Sequence, residues 1–558
     1  MTRDASEMVN ADFIDAIADI SRELEDLYDA KPDFPSRVWS HFSSIFASKD
    51  AFSEIPSIHA INPIHTDRKL VKGRFMIQDT SPSPEMYLAH RSEGKCGGWG
   101  LADDIPNSGG EILEETRLDL RENVVVWAVQ IPHESDWVGT EIDGPNSKFK
   151  FLVLCNSRLT LPIATHFTEP HVPETHPHKF PTRARHLGVQ VKIYDTIRGE
   201  SLKSTEIYTL VGIYTMEQMT GELDAPGPIL VPTLHVLFFQ PLTTTLVPRT
   251  FPYYTDLSKS EALREELIAW ISKESLGGDK HVAEWVLLAT IARVQSRSPP
   301  LLPPSLTISK FPSPSGEFKT PKLLAVLSQL FPMVDALPLS LDTINHSSFS
   351  PESKNEDLHS GRLQLPRGSI CVVTEGGVTE GGIVERGVMN IRALQVAMTS
   401  QTLDYVFPFS RFSFETDIAF LVLAEGRKST FFQTHSTVPL QHDTSSNLYG
   451  PAESINLPSL QKLALFRQLV GGAKIGNVTV EQAVAEHIQE DFVSERKATS
   501  ATAETVTSED LIHRMTVARL IAMSMHQTTI SLDVWKRVKW LEAARKARLD
   551  VIGEPKTS

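Results

Sequence analysis

The sequence predicts a multidomain α+β chain: a β-rich N-terminal part, then an α/β part on a parallel sheet, with helical segments at both ends. Three observations lead there. Between about residues 55 and 245, short runs of β-branched and aromatic residues succeed one another without long helical patterns between them, which suggests a barrel or sandwich. Beyond that, helical periodicities alternate with short apolar runs, the pattern of a layered α/β unit. The chain has 558 residues, which at about 100–200 residues per domain gives three or four domains or one multi-lobed protein. Composition shifts divide it into a helical segment at 1–50, a β part at 51–245 with a Pro/His-rich loop at 155–187, an α/β part at 246–500 and a helical part at 501–550.

The first helix follows from Phe13, Ile14, Ile17, Ile20, Leu24 and Leu27, whose spacing makes one apolar stripe that Pro32 and Pro35 end. Val38, Trp39, Phe42, Ile45 and Phe46 form a second stripe, and both stripes read as faces packed on the next domain. The strand runs are 74–78, 124–129, 149–154, 189–194, 207–214 and 233–239, bounded mostly by Gly, Pro, Asp and Asn. Helices are expected over 260–273, 281–297, 321–330 and 389–398, and buried strands over 305–309, 370–373 and 418–423. In the tail, Thr507 with Asp510 resembles a capping box, followed by a stripe of Leu511, Met515, Ala518, Ile521 and Ala522. Ser531 is placed to cap a last helix carrying Val534, Trp535, Val538 and Leu541.

Composition and charge exclude several classes. Hydrophobic residues at 41% and charged residues at 22% are ordinary for folded globular chains, so general disorder is excluded. No run approaches 18 apolar residues, so no membrane-spanning helix is expected; the acidic start lacks the apolar core of a signal peptide, and the protein is expected to stay inside the cell. Cys96, Cys155 and Cys371 lie far apart, against both a disulfide framework and a cysteine zinc site. A net charge of −15 argues against a broad phosphate-neutralising face. About half of that excess lies in residues 1–30, where nine acids face Arg3 and Arg22; such a segment can dock a basic partner or simply be a solvated helix face. The last helix is basic through Lys536, Arg537, Lys539, Arg545, Lys546 and Arg548, read first as a solvated face and second as a contact for nucleic acid, the import machinery or an acidic partner. His166, His171, His176, His178 and His186 crowd one loop, but with no cysteine pair and with five prolines the loop reads as a solvated linker and not a metal site.

The strand–loop–helix at 305–330 is the setting of a phosphate-binding loop, which needs G-x-x-x-x-G-K-[ST] so that backbone N–H groups converge on phosphate. Here the residues are Ser313-Pro314-Ser315-Gly316-Glu317-Phe318-Lys319-Thr320. Lys319 and Thr320 are present, but Ser313 and Phe318 stand where the two glycines belong, Pro312 and Pro314 carry no N–H, and Glu317 adds negative charge. The strand at 370–373 is expected to end in Asp-Glu if it served Mg²⁺ and an attacking water. It ends in Thr374-Glu375, so only Glu375 remains, and the strand at 418–423 leads to Ala424-Glu425-Gly426 without a polar sensor asparagine. These losses predict a non-catalytic relative of an ATPase, with no catalytic residue, cofactor or metal; an α/β region that was never ATPase-like is the alternative. No GxSxG or HExxH motif occurs. Gly97-Gly98-Trp99-Gly100 and Gly471-Gly472 read as turns, and His235 as a satisfied core histidine.

Ordered segments carry a family resemblance: 73–79, Ser135-Asp136-Trp137-Val138, 191–195, 210–214, 234–236, 283–288 running on to 293–297, Gly361-Arg362-Leu363-Gln364-Leu365-Pro366, 424–427, Glu490-Asp491-Phe492-Val493, 527–531 and 539–545. In that series the chain resembles the minichromosome maintenance (MCM) complex-binding protein family. The resemblance implies an OB-like β-barrel N-terminal part followed by a degenerate AAA+-like α/β domain with a C-terminal helical lid. It also implies a nuclear protein that binds subunits of the replicative MCM helicase, takes the place of one subunit in an alternative complex, meets chromatin only indirectly, and takes part in subunit protection, nuclear supply, helicase unloading and sister-chromatid cohesion. Thr374 departs from relatives that keep an Asp-Glu-like pair, and the loop at 155–187 is short beside the long acidic inserts of some relatives. Three function classes follow: a non-catalytic helicase-binding chaperone; an ATP-binding AAA+ enzyme resting on Lys319, Thr320 and Glu375; and a single-stranded nucleic-acid-binding OB protein resting on Tyr208, Tyr214, Lys192 and Arg198.

Overall fold

A computed structural model describes residues 16–29, 31–58, 68–91, 95–101, 119–138, 179–180, 186–219, 230–241, 250–253, 257–314, 319–354, 357–443, 446–499 and 507–553. The strand expected at 149–154, Cys155 and four of the five loop histidines (His166, His171, His176 and His178) lie outside the described residues, as does Phe318.

The β-rich part contains β1 (Lys69–Asp79), β2 (Glu85–Leu88), β3 (Leu120–Gln130), β4 (Gly188–Ile193), β5 (Ile207–Gln218) and β6 (Leu230–Pro241). β1 pairs antiparallel with both β3 and β5. β3 pairs antiparallel with β4, β4 runs parallel to β6, and β6 pairs antiparallel with β5. The ladder therefore returns on itself through five strands, which removes the unpaired edges that an open sheet would carry. Period-2 alternation sends Val71, Leu210, Tyr214, Leu234 and Val236 to one apolar cluster and Leu70, Val211 and Ile213 to another. A register shift at Val211/Gly212 leaves Leu237 as an extra residue, so Leu237 and Phe238 both join the second cluster. Gly212 is required there, because a Cβ would lie 2.3 Å from the His235 carbonyl oxygen.

That second cluster is where the N-terminal helices pack. α1 (Ile20–Leu27), α2 (Phe34–Ile45) and α3 (Lys49–Glu54) bury Ile20, Leu24, Phe34, Val38 and Phe42 against Trp99, Tyr194 and Phe238. Asp19 caps α1 by accepting from the Arg22 N–H at 3.2 Å. The second stripe and, in the first, Ile17, Ile20, Leu24 and Leu27 are thus packing faces; Phe13 and Ile14 lie outside the described residues. Trp39 meets Phe239 edge-on at 4.5 Å.

The α/β part begins with α4 (Leu257–Ser275) and α5 (Lys280–Ile291), followed by β7 (Leu306–Ser309), α6 (Lys322–Leu330), β8 (Val334–Pro338), α7 (Leu341–His346), β9 (Glu352–Lys354), β10 (Asp357–His359) and β11 (Ser369–Thr374). It continues with α8 (Glu385–Ser400), β12 (Thr402–Val406), β13 (Arg411–Glu415), β14 (Ile418–Leu423), β15 (Ser436–Pro439), α9 (Leu460–Ile475), α10 (Gln482–Thr499), α11 (Ser508–Ser524) and α12 (Leu532–Gly553). Five strands make a parallel sheet in the order β8-β11-β14-β7-β15, every pairing parallel. The expected strands at 305–309, 370–373 and 418–423 are its interior; β8 and β15 are edge strands that apolar-run reading missed. Their sequences explain the miss: VDALP and STVP are short, mix polar residues in and end in proline.

The continuous apolar runs reflect burial on both faces. Ile370, Val372, Ala419, Leu421 and Leu423 face the large core shared with α4, α5, α6, α9, α11 and α12, while Cys371, Val373, Phe420 and Val422 face a second core with α7 and α8. The helix expected at 281–297 stops at Ile291: Ala292 is extended at φ −64, ψ 148 although the apolar pattern runs on. Gly471 and Gly472, expected in a turn, lie buried inside α9, where a Cβ on Gly472 would lie 2.4 Å from the His526 ring. The capping box of Thr507 and Asp510 forms, and Ser531 accepts from the Val534 N–H at 3.3 Å.

The β part and the α/β part meet through polar contacts, some of them made by segments that carry the resemblance. Trp137 Nε1 donates to the Ser328 carbonyl at 2.7 Å and Arg467 stacks over its ring at 3.9 Å. Gln364 Nε2 donates to the Gln78 carbonyl at 2.7 Å, and Arg367 pairs with Glu206 at 2.7 Å. Among the described residues no helix is long and apolar enough to cross a membrane.

Candidate functional site

Because β7, β14 and β11 are parallel and adjacent, Ser309, Leu423 and Thr374 end at one edge of the sheet. In open α/β sheets ligands bind outside these carboxyl ends. Of the loop after β7, residues 310–314 and 319–320 are described, and Ser315, Gly316, Glu317 and Phe318 lie outside the described residues. Lys310 N–H donates to the Gly426 carbonyl at 2.9 Å and Phe311 N–H to the Ala424 carbonyl at 2.9 Å, so the loop is laid along the one that follows β14. Phe311 is buried edge-on against Tyr449, whose hydroxyl donates to the Pro312 carbonyl at 2.7 Å. Ser313 and Lys319 are exposed, and Thr320 is half-buried with its carbonyl accepting from the Gly450 N–H at 3.2 Å.

At the end of β11 the Thr374 carbonyl accepts from the Leu339 N–H at 2.9 Å. Glu375 is buried, and its own N–H donates to the Leu423 carbonyl at 3.1 Å. Its carboxylate turns toward the loop after β14. Oε1 accepts from the Ser429 hydroxyl at 2.6 Å and the Phe431 N–H at 3.4 Å, and Oε2 accepts from the Thr430 N–H at 2.9 Å. Both oxygens are thus spent on the protein's own donors, which is the arrangement of a loop anchor; orienting a water or a metal would require at least one of them to face outward. A Cβ built on Gly376 would lie 2.6 Å from Glu425 Oε1 and 3.7 Å from Pro314 Cδ, so Pro314, Gly376 and Glu425 already crowd the gap between the strand ends. Ser429, Thr430 and Phe431, the partners that define this arrangement, carried no signal in the sequence: they follow Glu375 by more than fifty residues and form no motif with it.

The remaining candidates are absorbed elsewhere. His235 is indeed a satisfied core histidine, with Nδ1 at 2.8 Å from the Tyr194 hydroxyl and Nε2 at 2.7 Å from Glu217. Burial pushes the Glu217 carboxyl up, but the hydrogen bond and charge of His235, with Lys192 behind them, hold it down at about 2. The residues on which a nucleic-acid surface would rest face inward or are paired: Tyr208 and Tyr214 are buried, Lys192 meets Glu85 and Glu217 at 2.6 and 2.7 Å, and Arg198 pairs with Asp195 at 3.2 Å and lies over Trp39. The basic last helix is not merely solvated. Arg537 binds Glu284 at 2.7 Å, Lys539 binds Asp491 and Glu495 at 2.9 Å, Arg545 binds Glu542 at 2.8 Å, and Arg548 binds Asp279 at 2.6 Å. Gly98 and Gly100 take φ of +83 and +69, as turn glycines do. Among the described residues no group of three or more His, Cys, Asp and Glu is arranged to hold a metal. A groove of 480 Å³ between α8 and β12, lined by Glu352, Arg386, Asn390 and Arg411, shares no residue with the strand-end edge.

Fold and site define an α/β protein in which described loop residues bond to one another at the strand ends of a parallel sheet, joined to a self-closing five-stranded β unit. The chain belongs to the mini-chromosome maintenance replisome factor family, whose model matches residues 163–549. It is 25% identical to the mini-chromosome maintenance complex-binding protein of Salmo salar, across 93% of this chain and 95% of that protein. To the protein of the same name from Arabidopsis thaliana it is 24% identical, across 91% and 92%. To that of Homo sapiens it is 28% identical over a shorter stretch, 58% of this chain and 52% of the human protein.

Proposed function

We propose that this protein binds subunits of the replicative MCM helicase and acts on their assembly, supply or unloading without catalysis of its own. The observation that carries the reading is the state of the strand-end edge. Strand order β8-β11-β14-β7-β15 is, in chain order of the five strands, 2-3-4-1-5, which supports an AAA+-like reading, with Lys319 and Thr320 following the first strand and Thr374-Glu375 ending the third. Yet Ser313 and Pro314 replace a cradle, Thr374 supplies no acid, and Glu375 is turned inward. The self-closing five-strand ladder, with β4 and β6 parallel, supports an OB-like barrel before that module, and α11 and α12 support a helical lid over 501–550. The domains would then run 1–50, 51–245, 246–500 and 501–550.

Such a chain has the shape of a helicase subunit and lacks the nucleotide grip that cements one subunit to the next. Ring exchange becomes a competition between interfaces: the chain covers a subunit's packing edge but cannot hold a ring closed through ATP. The names of the relatives, complex-binding proteins from fish to plant, favour this over an ATP-binding enzyme. The inward placement of Tyr208, Tyr214 and Lys192 weighs against a single-stranded nucleic-acid reader. Nuclear location, indirect contact with chromatin and a part in sister-chromatid cohesion belong to the same proposal. The test is co-purification of the intact protein with individual helicase subunits at micromolar concentration, alongside a titration with ATP and Mg²⁺. Retention of at least one subunit with no nucleotide binding is expected. Failure to retain any subunit, or tight ATP binding, overturns the reading.

A further inference from the structure

Beside the parallel sheet lies a smaller one in the order β10-β9-β12-β13, with β13 at its edge. β13 is Arg411-Phe412-Ser413-Phe414-Glu415, exposed at every position except the half-buried Phe414. Proteins usually blunt such an edge with proline, a bulge or charged side chains, because a row of outward N–H and C=O groups pairs with any suitable strand. This edge carries one charge of each sign, two residues either side of Ser413.

The hydrogen bonds flanking the hairpin fix which backbone groups point outward. Phe407 N–H donates to the Ser410 carbonyl at 3.0 Å, and Thr416 N–H to the Gln401 carbonyl at 2.9 Å. With Leu403 opposite Phe414 and Tyr405 opposite Phe412, hydrogen-bonded pairs alternate along an antiparallel ladder, so Phe412 and Phe414 direct their backbone groups to β12. Those of Arg411, Ser413 and Glu415 point away from the sheet.

From this we infer that β13 is a self-association edge whose occupant is the β13 strand of a second copy of this chain, paired antiparallel about a two-fold axis at Ser413. In that register Ser413 faces Ser413 of the other copy, and the outward backbone groups of Arg411, Ser413 and Glu415 find their complements. Arg411 stands opposite Glu415 twice, and Phe412 stands opposite Phe414 twice in the closer, non-hydrogen-bonded positions. The five residues are thus self-complementary in charge and in apolar character, which is what an isologous contact requires. Glu415 meets Arg297 through Oε1 at 3.2 Å, and its side chain is still 56% exposed, so its other oxygen remains for a second guanidinium. Phe412, 61% exposed in the single chain, gains a cover. The result is one continuous eight-stranded sheet, and it is independent of which helicase subunit, if any, the chain binds.

Sedimentation velocity of the intact protein over a concentration series tests this, with R411E, E415R and the double variant R411E/E415R, each checked for folding by circular dichroism. Wild type is expected to dimerise reversibly. R411E places acids opposite acids and should weaken the dimer by about tenfold or more. The double variant restores the pairing with its signs exchanged and should dimerise again. An equimolar mixture of R411E and E415R should form a heterodimer that neither forms alone, since one chain then presents two acids to the other's two arginines. Hydrogen exchange of wild type should show residues 411–415 gaining protection as concentration rises, a readout that needs no variant. A wild type that stays monomeric to about 100 μM, a dimer indifferent to R411E, or one without protection at 411–415 overturns the inference. So does an edge protected only by a helicase subunit.

Discussion

Two buried glutamates of the α/β part are held in opposite ways. Glu284, in α5, is bound by charge: Arg264 from α4 and Arg537 from α12 each reach it at 2.7 Å. Glu375, after β11, is bound by a hydroxyl and two backbone N–H groups of a single loop. The first arrangement ties the consecutive helices α4 and α5 to the distant α12 and satisfies Arg264, which is itself fully buried. The second closes one loop over the strand ends. Both acids serve architecture: the first joins helices by charge, and the second anchors a loop at the strand ends through neutral donors. In both cases the geometry leaves no carboxylate facing a crevice.

The largest effect expected from breaking this comparison is at the charged end. Glu284→Ala leaves the buried Arg264 with only the half-exposed Glu265 as counter-ion and should cost about 3 kcal/mol of stability, read as a lowered urea midpoint. Because Arg537 loses its partner too, α12 should become susceptible to limited proteolysis before the rest of the α/β part. At the neutral end, Glu375→Ala strands the Ser429 hydroxyl and the Thr430 N–H and should cost about 2–3 kcal/mol. Glu375→Gln keeps one acceptor oxygen and should cost roughly half of that. If Glu375→Ala were as stable as wild type, the carboxylate would not be the loop's anchor and its availability for chemistry would return as a question.

Acid sharpens the same contrast between charge-held and neutral-held groups. Burial pushes the Glu542 carboxyl up, but the hydrogen bond from His513 and the charge of Arg545 hold it at about 2, as His235 and Lys192 do for Glu217. A carboxyl depressed in the folded state contributes stability above its ordinary value near 4.5, and that contribution is lost as pH falls from there towards 2. Each should contribute about 2 kcal/mol, and E217Q should flatten the acid limb of a stability–pH curve by that amount. His281 acts over a higher window. Burial, helped by the nearby Arg548, lowers its imidazole to about 4, and neither ring nitrogen has a hydrogen-bond partner. Stability tied to His281 is therefore full above its ordinary value near 6.5 and declines as pH falls from 6.5 to 4, and His281→Phe should remove that slope, worth about 2 kcal/mol like that of either glutamate.

How much of this was legible depends on where the information lies along the chain. Ile370-Cys371-Val372-Val373 and Ile418 to Leu423 announce themselves because both faces of the sheet are covered, so every position is apolar. The Thr507 cap and the Trp535 face are legible because caps and stripes are local. β8 and β15 were not, since an edge strand with one polar neighbour and a terminal proline looks like a loop. The end of α5 was overrun because apolar residues continue past Ile291 while the backbone does not. The site divides the same way. That Ser313 and Phe318 depart from the glycines of a phosphate-loop pattern, and Thr374 from an Asp-Glu pair, can be read from spacing alone. The capture of Glu375 by Ser429 and Thr430, and of the basic last helix by Asp279, Glu284 and Asp491, depends on contacts across tens to hundreds of residues. No periodicity records such contacts.

The smallest effect is the most telling for function. In a working phosphate loop the lysine is indispensable, since it reaches the terminal phosphates and its loss abolishes nucleotide binding. Lys319 stands at the matching sequence position, but it is exposed, and Pro314 crowds towards Gly376 and Glu425 at the strand ends. Lys319→Ala should therefore change stability by less than about 0.5 kcal/mol, as an exposed substitution does. It should also leave the yield of co-purified helicase subunits unchanged, with or without ATP. A variant that loses partner retention only when ATP is present would mean that the lysine still grips a nucleotide. The inward-turned Glu375 would then be a resting position that nucleotide reverses, and the strand-end edge would be a switch and not a closed surface.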